Sequence, residues 1–265
     1  MPARYPERIV CLTEETTETL YLLGEERRIV GISGYTVRPP RARAEKPRVS
    51  AFLSAKTERI LELKPDLVLG FSDLQADIAR DLAKAGLNIM IFNQRSVQEI
   101  LSMILTLSSI VGVTQKGLAL ISELEQGLIQ IRDKAKAFPR RPRVYFEEWD
   151  EPMISAIRWV SELVEIAGGE DVLPELSRSQ SASGRIHDGS EVMRRKPEVI
   201  LGSWCGKKFR PERVASRPGW QDLPAVREHQ LFEVKSADIL QPGPAALTDG
   251  LRRIHSVLDA FISKR

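Results

Sequence analysis

The sequence predicts an α/β fold made of two similar lobes with mainly parallel sheets, joined by one long helix. Short runs of β-branched residues alternate with amphipathic stretches of helical spacing, which is typical of parallel strands joined by crossover helices. One unit occurs twice, at residues 57–70 and 189–202, and each copy consists of a short helix, a Lys-Pro pair, an acidic residue and an apolar strand ending at glycine. Because proline closes a helix and a strand of a parallel sheet is apolar on both faces, the repeat indicates two similar lobes.

Length and composition agree with this organisation. The chain has 265 residues, which is close to the upper limit for one hydrophobic core, and its 42% hydrophobic and 28% charged residues are typical of a folded globular protein. The net charge of +3 comes from interleaved residues of both signs, so we expect no nucleic-acid partner. The longest weakly polar run, residues 102–113, is too short to cross a bilayer, so we expect no integral membrane segment. We also expect a monomer.

The first half predicts an N-terminal lobe at residues 1–112. Its strand candidates are short apolar runs, and its helix candidates carry apolar residues every three or four positions. The predicted strands are 8–12, 29–33, 67–71 and 89–92, and the predicted helices are 15–23, 57–63, 75–85 and 97–111.

A long helix is predicted next, within a connecting segment at residues 113–139. Residues 114–138 carry apolar side chains at helical spacing and charged ones elsewhere, and prolines follow at once. Such a helix is about 36 Å long, which is enough to brace two lobes. The C-terminal lobe, residues 140–265, is predicted to hold strands at 144–146, 199–202 and 231–234 and helices at 157–167, 190–195 and 245–264.

Candidate binding residues lie after the strands, because ligands of open parallel sheets bind beyond the carboxyl ends of the strands. In the second lobe, the predicted loops 147–150 and 203–208 are rich in tryptophan and charge. Aromatic rings offer a flat apolar surface to a ligand, although packing inside the core is the alternative. The candidates in or near these loops are Trp149, Trp159 and Trp204 as walls, Arg158, Lys207, Lys208 and Lys235 as cations converging on an anionic ligand, and Glu147, Glu148 and Asp150 as carboxylates.

Cysteine, histidine and glycine patterns favour binding over catalysis. Cys11 and Cys205 form no Cys-x-x-Cys pair, so we expect neither a disulfide framework nor a structural zinc site. The three histidines are scattered, and the nucleotide-binding and serine hydrolase motifs are absent from the sequence. Cys205 lies beside Lys207 and Lys208, which favour a thiolate able to bind a metal; the alternative is an inert small residue.

The order of several short motifs resembles one family of binding proteins. These motifs are residues 8–13, 32–35 with 39–40, 49–52, 57–60, 64–68, 166–170 and 196–200. They are similar to the helical-backbone (class III) periplasmic substrate-binding proteins of ABC importers, most of all the vitamin B12-binding branch, with siderophore and haem binders as relatives. The resemblance implies two Rossmann-like lobes, a ligand in the cleft between them, and no catalysis.

The resemblance also implies roles for individual residues. Tyr35 and Phe52 match aromatic positions that hold the corrin ring, with Phe52 in place of a tryptophan. Glu58 matches a carboxylate that docks on arginines of the importer permease. The matching position in the second lobe is Ser190, so Glu191 beside it is the candidate for the second docking contact. The expected ligand is cobalamin, another corrinoid or a related metal complex, with Cys205 as a candidate axial ligand to the metal and no covalently bound cofactor.

Some alternatives stay open at this stage. The resemblance implies a periplasmic protein, but charged residues interrupt the opening stretch where a signal peptide is apolar, so either the protein is cytoplasmic or the sequence begins after processing. The first alternative function is a cytoplasmic carrier of a corrinoid or metal complex that meets no permease. The second is a chelatase-like or thiol-dependent enzyme that uses Cys205 with Glu148 or Asp150.

Overall fold

The computed structural model describes residues 5–264, so the first and last residues of the predicted lobes lie outside the described residues. The chain forms two compact units. The first holds the residues up to Gln94 together with Gln98–Glu123, and the second holds Arg95–Val97 and the residues from Leu124 onward. The division falls inside a long helix, whereas the prediction treats residues 113–139 as a segment of its own.

The first unit contains a parallel sheet of five strands in the order β3-β2-β1-β4-β5. The strands are β1 (Ile9–Cys11), β2 (Ile29–Ser33), β3 (Arg48–Ser50), β4 (Leu67–Phe71) and β5 (Ile89–Phe92). All residues of β1 and β4 are buried, which explains why both strands are apolar on both faces. The sequence missed β3, because three residues beginning with the exposed Arg48 give too short an apolar pattern.

Helices pack against this sheet, and the long helix follows them in the chain. They are α1 (Glu14–Leu22), α2 (Ala42–Glu45), α3 (Thr57–Glu62), α4 (Ala76–Lys84), α5 (Val97–Ile110) and α6 (Thr114–Ala135). One core cluster of this unit joins Val10 and Val68 of the central strands to Ile60 of α3 and Leu82 of α4. The predicted long helix is therefore present as α6, with 22 residues.

The second unit contains a mixed sheet in the order β10-β9-β6-β7, with β8 also paired to β6. The strands are β6 (Arg143–Asp150), β7 (Met153–Ser155), β8 (Glu170–Asp171), β9 (Val199–Gly202) and β10 (Leu231–Glu233). The prediction that residues 147–150 form a loop is wrong. These residues extend β6, because Glu147, Trp149 and Asp150 pair with the antiparallel strand β7. The other strand pairs of this sheet are parallel.

The helices of the second unit are mostly short. They are α7 (Arg158–Ile166), α8 (Ser190–Arg195), α9 (Pro211–Ala215), α10 (Pro224–Arg227), α11 (Ser236–Ile239) and α12 (Leu251–Ile262), the last preceded by a wide turn at Ala246–Gly250. A core cluster gathers Tyr145, Ile200, Trp204, Phe209 and Trp220. Across residues 5–264, none of the helices combines the length and the apolar character that crossing a membrane requires. The predicted fold class, two lobes with mainly parallel sheets, is confirmed.

The repeated unit has the same construction in both places. Lys64 and Lys196 both adopt left-handed backbone conformations, with φ of 46° and 49°, where the helix ends and the Lys-Pro pair begins. The acidic residue that follows fixes the neighbouring strand: the carboxylate of Asp66 accepts a hydrogen bond from the Arg8 backbone N–H at 2.9 Å, and that of Glu198 from the Arg143 backbone N–H at 3.1 Å. The repeat therefore encodes a helix end, a strand and the start of the adjacent strand.

Candidate ligand-binding site

Exposed apolar side chains follow three strands of the first unit at their carboxyl ends. Tyr35 follows β2, Leu53 follows β3 and Leu74 follows β4, and their exposed fractions are 63%, 68% and 59%. Since the carboxyl ends of parallel strands meet at one edge of a sheet, these side chains lie along the same edge and are exposed to solvent in the isolated chain. We call this surface the apolar edge. The predicted site residues include Tyr35 but neither Leu53 nor Leu74. Leu74 follows a predicted strand and was a readable signal, whereas Leu53 follows β3, which the sequence did not reveal.

Phe52 is half-buried in the loop that carries Leu53. The buried side chain of Gln75 holds this loop: its amide donates to the Phe52 carbonyl at 3.0 Å, and its oxygen accepts from the Phe71 N–H at 2.9 Å. Gln75 thus links the loop after β3 to the end of β4 and fixes where the apolar edge lies.

Buried carboxylates at the start of α1 lie after the carboxyl end of β1. Glu14 is 4% exposed and accepts a hydrogen bond from the Val37 N–H at 2.6 Å, while Glu15 is fully buried and accepts one from the Thr13 hydroxyl. Burial raises the pKa of Glu14 to about 8 and that of Glu15 to about 7, and these hydrogen bonds oppose the rise only in part. This edge of the unit therefore holds carboxyl groups that carry protons near neutral pH.

In the second unit, Glu147 is the centre of a buried hydrogen-bond network. Its carboxylate accepts from both terminal nitrogens of Arg217, one of them at 2.9 Å, from the Tyr145 hydroxyl at 2.9 Å and from the Trp204 indole at 3.1 Å. The side chain of Glu147 has no exposed area. A buried carboxylate needs such partners, so Glu147 fixes the base of the loop that begins at Trp204.

The network continues from Tyr145 to His187. The His187 Nδ1 accepts from the Gly189 N–H at 3.1 Å, so the ring proton belongs on Nε2, which lies 3.0 Å from the Tyr145 hydroxyl. Burial, with a smaller contribution from Arg217, lowers the pKa of His187 to about 4. Burial, together with the charge of Glu147, raises the pKa of Tyr145. Both groups are therefore neutral at physiological pH.

Lys207 has a fixed position between aromatic rings. Its ammonium group pairs with the buried carboxylate of Asp150, which Arg213 also contacts at 3.3 Å. The same ammonium nitrogen lies 3.9 Å from the ring centroid of Trp149 and 5.1 Å from that of Trp204. Two cation–π contacts and an ion pair leave little freedom to this side chain.

A groove of about 260 Å³ lies next to Lys207 at the carboxyl end of the second sheet. We call it the lysine groove, and it is lined by Trp204, Gly206, Lys207, Lys208, Glu233, Lys235 and Ser236. The structure therefore brings together three of the four predicted cations. The fourth, Arg158, does not line the groove and instead forms an exposed pair with Glu162 at 2.9 Å on α7. Cys205 is exposed on the same loop.

Several predicted site residues have structural contacts. Trp159 is 3% exposed and its indole donates to the Ile239 carbonyl at 2.9 Å, so it lies in the core rather than in an exposed wall. Trp204 is 2% exposed, so only its edge reaches the lysine groove. Glu148 accepts from the buried Arg185, one bond measuring 3.1 Å. Glu148 and Asp150 therefore both lie in ion pairs, with Arg185 and Lys207 respectively.

Within the described part of the chain, no group of three or more His, Cys, Asp or Glu residues is arranged to hold a metal ion. The role of Cys205 as an axial ligand stays a prediction.

Residues 9–237 match the family described as "Periplasmic binding protein", which is most of the chain. The chain belongs to this family. The resemblance predicted from the short motifs is thereby confirmed.

Named relatives of this periplasmic binding protein agree with that assignment. It is 23% identical over 258 residues to the uncharacterized ABC transporter substrate-binding lipoprotein YvrC of Bacillus subtilis, covering 94% of this chain and 79% of that protein. It is 28% identical over 212 residues to the vitamin B12-binding protein of Yersinia pestis, covering 77% and 71%. The structure of the periplasmic haem-binding protein RhuT from Roseiflexus superposes with a TM-score of 0.80 at 23% identity, covering 95% and 99%, which shows a shared fold.

The two predicted docking carboxylates of this periplasmic binding protein differ in their surroundings. Glu58 is exposed in the first turn of α3 and makes no ion pair with any residue between 5 and 264. Glu191 contacts the Arg194 Nε at 3.0 Å and the Arg195 Nε at 3.0 Å, and the hydrogen bonds from Arg194 chiefly lower its pKa to about 2. Glu191 is therefore held by two internal arginines, whereas Glu58 has no such contact among residues 5–264.

Gly202 at the end of β9 leaves space for the buried ring of Phe209. A Cβ atom added there would collide with the buried ring of Phe209, which packs edge-on against Trp204 at a centroid distance of 5.0 Å. We expect Gly202→Ala to lower the free energy of unfolding by about 1–3 kcal/mol, because the ring must leave its packed position. Urea unfolding and tryptophan fluorescence measure the loss of stability and the change around Trp204.

Gly206→Ala is a useful comparison in the same loop, because added atoms meet nothing there, although its φ of 77° adds some strain. A Gly202→Ala protein with unchanged stability and fluorescence would contradict the packing described.

Proposed function

We propose that this periplasmic binding protein captures a metal–tetrapyrrole complex, a corrinoid such as cobalamin or a haem, and delivers it to an ABC importer. The observation that carries the proposal is the apolar edge of the first unit, where Tyr35, Leu53 and Leu74 are each more than half exposed. Large apolar side chains gathered past strand ends are typical of a surface that a flat apolar ligand covers. The relative named as a vitamin B12-binding protein and the fold shared with a haem-binding protein support this class of ligand.

Tyr35 is the main aromatic contact in this proposal. A tyrosine ring stacks on a macrocycle at low entropic cost, and its hydroxyl can stay in contact with water. Phe52 is half-buried, and Gln75 holds its loop, so it supports the edge more than it covers the ligand. Trp149 supplies the most accessible tryptophan ring of the second unit's predicted wall, since Trp159 and Trp204 are buried.

Glu58 is the proposed contact with the permease of the importer. Its exposed carboxylate has no ion pair among the described residues, so binding an arginine of the permease breaks no internal contact. Glu191 would contribute less, because its carboxylate already bonds Arg194 and Arg195. We therefore propose docking in which the first unit supplies the stronger contact.

A tryptophan fluorescence titration against cobalamin, cobinamide, haem and a ferric siderophore tests the proposal. We expect saturable quenching by a corrinoid or by haem at micromolar or lower concentration, with the ligand recovered unchanged after extraction. Repeating the titration with Cys205→Ser tests whether the thiol binds the metal. If it does, the visible spectrum of the complex bound to the variant differs from that of the complex bound to wild type. Quenching by the siderophore alone would move the ligand class away from tetrapyrroles, and no saturable response to any of the four would contradict the proposal.

A further inference from the structure

We propose that the lysine groove of the second unit is an anion subsite that binds a carboxylate or phosphate group carried by the ligand. This inference rests on the proposed function, since the anionic group is an arm of the captured complex. The groove is lined by Lys207, Lys208 and Lys235 against a single carboxylate, that of Glu233. Its lining therefore carries two more positive than negative charges.

Two of these lysines have no internal counter-charge. Lys208 and Lys235 form no ion pair within residues 5–264, whereas the ammonium of Lys207 pairs with Asp150. Glu233 does not compensate fully, because it brings one negative charge against the two ammonium groups; one of its carboxylate oxygens also accepts from the Phe209 N–H at 3.1 Å. An anion placed in the groove would gain charge-assisted hydrogen bonds from two ammonium groups that otherwise repel each other.

Lys207 gives the groove a fixed wall. Its ammonium group lies 3.9 Å from the centroid of the Trp149 ring and also pairs with the carboxylate of Asp150. Asp150 is itself buried and contacts Arg213 at 3.3 Å, so Lys207, although partly exposed, is anchored to a buried carboxylate. A preformed wall reduces the entropy lost when an anion binds.

The size of the groove indicates an arm of the ligand and not the whole ligand. A volume of about 260 Å³ is below the range of pockets that enclose a complete small molecule, roughly 300–1,000 Å³. A carboxylate or phosphate group fits easily in such a space. The two sources of negative charge can be separated by matched ligands: haem carries two carboxylates that its dimethyl ester lacks, and cobalamin carries a phosphodiester that cobinamide lacks.

The double variant Lys208→Ala with Lys235→Ala tests the subsite. We expect it to weaken binding of the ligand that carries the anionic group by about 10- to 100-fold, and to change binding of the counterpart that lacks this group by less than about twofold. The control is Lys134→Ala with Lys264→Ala, two exposed lysines of the same unit that do not line the groove. This control removes the same net charge and should leave the affinity unchanged. Equal affinity of wild type and the groove variant for the anionic ligand would overturn the inference while leaving the proposed function intact.

A second experiment uses small anions, so that the subsite is tested even if no tetrapyrrole binds. Inorganic phosphate and citrate are titrated against the protein alone while tryptophan fluorescence is recorded, because Lys207 lies on the Trp149 ring. We expect a saturable change at millimolar concentration in wild type and in the Lys134/Lys264 control, and its loss in the groove variant. Response to citrate alone assigns a carboxylate arm, and response to phosphate alone assigns a phosphate arm. No saturable change with either anion in wild type would overturn the inference.

Discussion

Replacing Arg217 by methionine is expected to lower the free energy of unfolding by about 3–5 kcal/mol. Arg217 donates two hydrogen bonds to Glu147, whose side chain has no exposed area, so the substitution leaves a buried carboxylate without its counter-charge. The remaining donors, the Tyr145 hydroxyl and the Trp204 indole, are neutral and cannot balance that charge. Urea unfolding followed by fluorescence measures the effect and also reports on Trp204.

A surface ion pair serves as the control for this prediction. Arg194 pairs with Glu191, and both side chains are largely exposed, so Arg194→Met should cost no more than about 1 kcal/mol. Adding Glu147→Gln to Arg217→Met should restore part of the lost stability, because the buried charge is then removed. A loss below about 1 kcal/mol for Arg217→Met would show that Glu147 does not depend on this arginine.

The stability of the first unit is expected to fall as the pH rises from about 4.5 to about 8. An unfolded glutamate releases its proton near pH 4.5, whereas burial holds the proton on Glu14 up to about pH 8 and on Glu15 up to about pH 7. Between these values the unfolded chain binds fewer protons than the folded one, so the free energy of unfolding decreases with rising pH. One pKa unit corresponds to about 1.4 kcal/mol, so a rise from 4.5 to about 8 makes the contribution of Glu14 on the order of 5 kcal/mol.

The double variant Glu14→Gln with Glu15→Gln tests this pH dependence. Below pH 4.5 both carboxyl groups are protonated in either state, so wild type and variant should then be about equally stable. At pH 8.5 the variant should be the more stable protein, because it has no buried carboxylate to ionise. Thermal unfolding across this pH range measures the difference, and Glu62→Gln with Glu123→Gln, two exposed positions of the same unit, provides the control. Parallel pH profiles for wild type and the Glu14/Glu15 variant would contradict the raised pKa values.

The sequence was sufficient for the parts of the fold that local pattern controls. Strands such as Leu67–Phe71 and Val199–Gly202 are fully apolar because helices and neighbouring strands bury them, and the Lys-Pro pairs mark the helix ends. The extension of β6 through Asp150 was missed, because it depends on pairing with β7 and not on the apolar pattern of its own residues.

The same distinction between local pattern and long-range pairing applies to the candidate site. Tyr35 and the lysines after β9 and β10 were found because position after a strand end is visible in the sequence. The partners of Glu147 and Glu148 were not, since Arg217 and Arg185 lie 70 and 37 residues further along the chain. The burial of Trp159 was left open for the same reason, because its indole partner is the distant Ile239 carbonyl. Long-range pairing decides which of the predicted residues are held in internal contacts.

The most direct test of tetrapyrrole capture is an equilibrium titration of cobalamin and of haem with wild type, Tyr35→Ala and Leu22→Ala. Tyr35 lies at the apolar edge past β2, whereas Leu22 is equally an exposed apolar residue of the first unit but lies at the far end of α1. We predict that wild type binds one of the two complexes at micromolar or lower concentration, that Tyr35→Ala weakens this binding by about tenfold or more, and that Leu22→Ala leaves it unchanged. Failure of both complexes to bind wild type, or equal binding by wild type and Tyr35→Ala, would contradict capture of a tetrapyrrole at this edge.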